Sequence, residues 1–208
     1  ITLLGINMIK SLALQVSVRE HFSFENLAHG FSGKSLWKHS LGVAVCAKLL
    51  ARRLMLGQAE DFFTLGLLHD LGLIVEHQFH PETLRHVLER LFRGGGPLTV
   101  LETEAFGCHH GDLAQRLNVQ WHLPEHMGRI IQFHHAPQDA PPEYRKASAA
   151  IALADRICQQ AGFGFAFPED REGSVGSLEM LGLESIDAEV LAEDFQELAE
   201  ETASMLEG

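Results

Sequence analysis

Leu65-Gly66-Leu67-Leu68-His69-Asp70-Leu71-Gly72-Leu73-Ile74-Val75 sets a histidine and a carboxylate side by side in a run otherwise made of apolar residues and glycine. From about Glu60, Phe62, Leu65, Leu68, Leu71 and Val75 follow one helical stripe, while Phe63, Leu67, Leu73 and Ile74 make the other sides apolar too. The spacing predicts one helix through Val75, and a helix apolar all round is buried. Burying an unpaired carboxylate is expensive even after relaxation, and no Lys or Arg stands in this run. Two readings supply the missing cation. A metal ion held by His69 and Asp70 answers the cost directly; a distant Arg paired with Asp70, with His69 as a packed core residue, is the plainer alternative.

Outward from this run the apolar period stays helical. Leu36, Val43, Ala47, Leu50 and Leu54 make a stripe through a predicted helix from about Ser35 to Leu56, with Gly57 as its C-terminal cap. Pro81 opens a helix over Glu82 to Phe92, and Gly94-Gly95-Gly96-Pro97 breaks the chain after it. Thr99 followed by Glu102 has capping-box spacing for a helix that runs through Phe106 and ends at Gly107. Further helices are expected over Gly111 to Asn118, Pro124 to about Phe133, and Arg145 to Ala161. No convincing alternating strand is present. The expected organisation is an all-α domain over residues 1–160, an irregular connection over 161–186, and an acidic amphipathic helix over 187–208 that begins at Asp187.

Charge is distributed unevenly. Residues 1–167 balance 15 Lys and Arg against 15 Asp and Glu, whereas 168–208 hold 13 acids and only Arg171. A neutral body with an acidic end offers no electrostatic footprint for nucleic acid or anionic lipid. No stretch approaches the roughly 20 apolar residues of a membrane span, and the start lacks a signal-peptide layout. A cytoplasmic location is expected. The chain begins at Ile1 within an apolar run, from which an absent N-terminal portion is expected. Cys46, Cys108 and Cys158 are too few and too scattered for a disulfide framework or a zinc–thiolate site.

Histidine is concentrated: ten of thirteen lie between His69 and His135. His39 stands near the start of its helix, His109-His110 follows a helix end, His134-His135 closes another, and Asp155 in Leu153-Ala154-Asp155 repeats the carboxylate in an apolar setting. Each alone is more often a packed or solvated residue than a ligand. Their order is the telling feature: His, His-Asp, His, His-His, Asp, each on its own helical segment.

In that order the chain resembles the HD superfamily of metal-dependent phosphohydrolases, and more narrowly the HDOD family, the HD-related output domains of bacterial signalling proteins. The resemblance rests on Ile1-Thr2-Leu3-Leu4-Gly5, Leu36-Trp37-Lys38-His39, Gly66 to Gly72, Phe106-Gly107 with His110, Trp121-His122-Leu123-Pro124, His134-His135 with Pro137, and Leu153-Ala154-Asp155, over roughly residues 1–160. It implies an HD-like multi-helix bundle with a metal site in the core between helices. It implies that His39, His69, Asp70 and Asp155 gather one metal and that Asp70 bridges to a second, held by His110, His134 and His135. His109, His122 and His126 are left outside. Mixed imidazole and carboxylate ligation suits two divalent transition metals, iron, manganese, zinc, nickel or cobalt, without choosing among them.

The implied chemistry is phosphomonoester or phosphodiester hydrolysis, with water activated between two ions, Asp70 as the bridging catalytic carboxylate and no protein nucleophile. A phosphoester or nucleotide is the expected ligand, and signalling proteins or fused domains the expected partners. Two departures count against turnover. The HD-GYP phosphodiesterases, which share the ligand pattern, carry a lysine soon after their His-Asp where this chain has Leu73, and their Gly-Tyr-Pro signature is replaced here by Ala136-Pro137-Gln138. A metal-dependent phosphohydrolase and a non-catalytic regulatory or scaffold module with a structural or sensory metal both stand at this point, beside a helical domain whose histidines pair with acids and hold no metal.

Overall fold

A computed structural model describes residues 19–165, 168, 172–184, 187 and 190–195. The chain is all-helical, with no β-strand among the described residues. The first α-helix named among the described residues, α1, spans Gly33–Arg53 after a 3-10 turn at Glu20–Phe22 and opens on a capping box. The Ser32 hydroxyl accepts the Ser35 N–H and the Ser35 hydroxyl accepts the Ser32 N–H, so two orphan donors of the helix start are satisfied. Then follow α2 (Ala59–Leu68), α3 (Leu71–Phe79), α4 (Pro81–Phe92), α5 (Leu98–Phe106), α6 (His110–Gln120), α7 (Glu125–Gln132), α8 (Arg145–Gln160) and α9 (Glu172–Leu181).

The helix α1 lies at the centre, packed along α2 and α8. On one side α3 leans on α6 and α6 on α7, which returns to α2 and α8; α4 and α5 pair beside α3, and α9 covers α8. The predicted stripe of α1 is the core face, with Leu36, Val43, Ala47 and Leu50 all fully buried. In α4 the buried set Leu84, Val87, Leu88 and Leu91 keeps the same helical spacing. Each such side chain contributes on the order of 1.5–3 kcal/mol by leaving water.

Four local expectations need correction. The continuous helix from Glu60 to Val75 is two helices, broken at His69-Asp70, where Asp70 takes φ −100° and ψ 11°. Gly57 is not the cap of α1: the helix ends at Arg53 with Leu54 as C-cap, and Met55 and Gly57 turn the chain with positive φ beyond it. Thr99 and Glu102 form no capping box, because α5 starts at Leu98 after Pro97, no side chain caps it, and the Thr99 carbonyl is taken by the Thr103 hydroxyl. The connection expected to be irregular contains α9. By contrast Gly107 ends α5 in the left-handed conformation at φ 78°, as expected.

Of the helix expected from Asp187 to Leu206, Asp187 and residues 190–195 are described and helical, and the rest lies outside the described residues. This segment packs on the body. Leu191 and Phe195 are buried, Phe195 meets Phe163 edge to face, and Asp194 pairs with Arg53 at 2.6 Å.

Candidate metal centre

Every residue of the implied ligand set projects into one space between helices. His39 comes from inside α1, His69 and Asp70 from the break between α2 and α3, and His110 from the first position of α6. His134 and His135 come from the turn after α7, and Asp155 from the middle of α8. The break explains how sequence neighbours share a target. In a continuous helix, side chains at i and i+1 diverge by about 100°, whereas here His69 Nε2 and Asp70 Oδ2 are 3.2 Å apart. Asp70 adopts the bridge region of backbone space, sparsely populated and recurrent at functional sites.

Asp70 is the hub. Oδ2 faces His69 Nε2 and, at 3.8 Å, His39 Nε2; Oδ1 faces His110 Nε2 at 3.4 Å and His134 Nε2 at 3.9 Å. Asp155 Oδ1 lies 2.9 Å from His39 Nε2 and 4.0 Å from His69 Nε2, and His135 Nε2 is 2.8 Å from His110 Nε2. No Lys or Arg pairs with Asp70 or Asp155 among the described residues; their partners there are histidines and, for Asp155, Gln159. Two groups of potential ligand atoms, each within 4.8 Å of one another, share Asp70: Asp70, His110, His134 and His135, and His39, His69 and Asp70.

The atoms fit an ion better than they fit each other. The buried His134 brings Nε2 into this space with no hydrogen bond, which is costly for a polar atom, and the buried Nε2 atoms of His39 and His69 meet only the Asp155 and Asp70 carboxylates, at 2.9 and 3.2 Å. Two ligand atoms about 2.1 Å from one ion stand at most about 4.2 Å apart, and every pair above lies within 4.0 Å. Tautomers agree. His69 Nδ1–H donates to the Gly66 carbonyl at 2.8 Å and His134 Nδ1–H to the Ile131 carbonyl at 2.7 Å, which leaves a lone pair on each Nε2.

Electrostatics sorts the histidines. Burial, followed by the neighbouring imidazoles, pushes the pKa of His134 and His135 well down, so both are neutral. Burial also opposes charge on His69, but Asp70 and Asp155 outweigh it and raise its pKa. For His110 burial is outweighed by Glu102, and the pKa rises to about 10. Burial opposes ionisation of Asp70 and Asp155 too, yet His69 holds Asp70 well below the usual range and His39 lowers Asp155.

Glu102, expected from its spacing to Thr99 to serve a capping box, lies behind His110 instead. Fully buried on α5, it accepts His110 Nδ1–H at 2.8 Å and the His110 backbone N–H at 3.1 Å. The signal was present, a lone acid in the buried Leu98, Leu101, Glu102 face of α5, but Thr99 three residues earlier offered a local explanation. Glu76, on α3, is buried beside it and kept neutral, its pKa pushed up to about 9 by burial and by Glu102.

The histidines set aside stay outside the two groups. His109 is the N-cap of α6, its Nδ1 accepting the Gly111 N–H, and His122 and His126 are exposed. The segment after α8 roofs the centre: Phe165 N–H bonds the Ser35 carbonyl, and Gly164, at φ 91°, lies against the His39 backbone where a side chain has no room.

A helical bundle built around a buried histidine–aspartate centre capable of holding metal is the class that fold and site define. The profile of the HDOD domain matches residues 1–137, and the chain belongs to that family. An uncharacterized protein of Treponema pallidum (strain Nichols) is 34% identical over 95 residues, 46% of this chain and 18% of that protein, so the chain matches under a fifth of its relative's length. An HDOD domain protein of unknown function from Geobacter sulfurreducens has a similar structure, with TM-score 0.72 and 25% identity over 98% of this chain and 69% of the other. So does a provisionally assigned signal transduction protein from Marinobacter aquaeolei VT8, with TM-score 0.76 and 20% identity over 98% of this chain and 44% of the other. Among the described residues no helix is long and apolar enough to cross a membrane.

Proposed function

We propose that this chain is an HDOD signalling domain that holds two divalent transition-metal ions and hydrolyses a phosphoester at that centre. The observation that carries the reading is the convergence of six imidazole and carboxylate side chains in two groups joined by Asp70, with Asp155 Oδ1 2.9 Å from His39 Nε2 and the buried Nε2 of His134 left without a hydrogen bond. His39, His69, Asp70 and Asp155 would hold one ion; Asp70, His110, His134 and His135 the other. When bound, such a pair supplies charge neutralisation for a phosphoryl group and a more acidic water between the ions. Asp70 orients both halves through its two oxygens, and the buried helices exclude bulk water.

A second reading, a regulatory module whose metal is structural or sensory, is favoured by two observations. Leu73 is fully buried at the position where related phosphodiesterases carry lysine, and His39, His69 and His110 are all fully enclosed.

Elemental analysis of protein purified without chelator tests the common part. About two ions per chain are expected in the parent; His69→Ala should lose the ion of its own group and Asp70→Ala both. Less than one tightly bound transition metal per parent chain would sink the proposal. Bis-p-nitrophenyl phosphate assayed with iron, manganese and zinc separates the two readings: turnover abolished in Asp70→Ala supports hydrolysis, and loaded protein without turnover supports the regulatory module.

A further inference from the structure

The two halves of the centre are not equivalent in charge. The half built from His39 and His69 has Asp70 and Asp155 within reach, while the half built from His110, His134 and His135 has only its share of Asp70. What stands behind the rings differs as well. His69 and His134 rest on neutral backbone carbonyls; His110 rests on a carboxylate. Both oxygens of Glu102 lie within 2.9 Å of His110 Nδ1, and Oε2 also takes the His110 backbone N–H at 3.1 Å.

Three effects follow from this one side chain. It satisfies an orphan N–H at the first position of α6, where the helix dipole also favours an anion. It holds the proton on Nδ1, so the coordinating lone pair belongs on Nε2. It turns Nε2 toward Asp70 Oδ1 and His135 Nε2, at 3.4 Å and 2.8 Å. The geometry assigns Glu102 as a positioning residue that sets the affinity of the His110, His134 and His135 half of the centre for its metal ion, supplying from behind His110 the negative charge that this half lacks.

The assignment rests on the two-metal reading. A carboxylate hydrogen-bonded to a metal-binding histidine is worth about 10–100-fold in metal affinity. In Glu102→Gln, which keeps the shape and loses the charge, one ion should bind as in the parent and the second about 10–100-fold more weakly. Titration with Co²⁺ resolves the two steps by chelator competition and by the visible spectrum of each bound ion. Glu102→Asp is one methylene shorter, withdraws the carboxylate from Nδ1, and carries the same test should the glutamine protein fail to fold. Selective loss of the second step supports the assignment. Both steps unchanged, or both weakened together, overturns it. A parent that takes up no Co²⁺ refutes the two-metal reading itself.

Discussion

At the scale of single residues the centre is governed by where protons sit. His110, with a pKa of about 10, is protonated near neutrality, and its Nε2 faces the neutral His135 at 2.8 Å. That proton occupies the lone pair a metal needs, so uptake must release it. Below pH 10 the metal competes with it, and each unit of rising pH raises apparent affinity by about tenfold for this proton alone. Titrations at pH 6.5, 7.5 and 8.5 should therefore show tightening binding of the ion on the His110 side, with about one proton released from His110 as it fills, read in weak buffer. Affinity independent of pH would contradict the assignment of Nε2 as the coordinating atom.

At the scale of elements, close backbone approach sets the distances between ligands. A Cβ on Gly66 would meet Ala44 N and Cα at 2.7 Å, so this glycine lets α2 lie directly on α1. A Cβ on Gly72 would run into the His110 carbonyl, so the first turn of α3 sits against the residue that opens α6. Overpacking at such a contact costs about 1–3 kcal/mol. Gly72→Ala should lower the urea midpoint accordingly and displace His110, weakening the ion on its side. Gly176→Ala in α9, where the nearest atom is Met180 Cε at 3.8 Å, should be neutral or stabilising by up to about 1 kcal/mol. Equal effects at both positions would argue that the α3 to α6 contact has no special tightness.

At the scale of the whole molecule, a buried acid outside the ligand set makes folding sensitive to pH. The Glu76 carboxyl has a pKa raised from 4.5 to about 9. Below pH 4.5 it is neutral in both folded and unfolded chains. Between pH 4.5 and about 9 only the unfolded chain ionises it, so stability falls as pH rises, by about 1.4 kcal/mol per unit at most. Above about pH 9 the loss is complete. Glu76→Gln removes this titration, and in chelator it should be more stable than the parent at pH 8, with a flatter profile from pH 5 to 9. Parallel urea-midpoint profiles for the two proteins would rule the effect out.

Helix periodicity and glycine and proline placement made the all-helical class legible from the chain alone, because these depend on spacing along one element, whereas the family was legible through the resemblance carried by the order of the His and Asp residues. The stripe of α1, the stop at Gly107 and the start at Pro81 are of this kind. Where partners lie far apart in sequence, local patterns misled: Thr99 looked like the reason for Glu102 until His110 proved to be its partner. His69-Asp70 shows the division most clearly. Composition alone demanded a cation for a carboxylate buried among Leu and Gly. Only the tertiary structure decided that the helix breaks there, since a regular helix turns adjacent side chains about 100° apart and the side chains that meet His69 and Asp70 come from α1, α6 and α8.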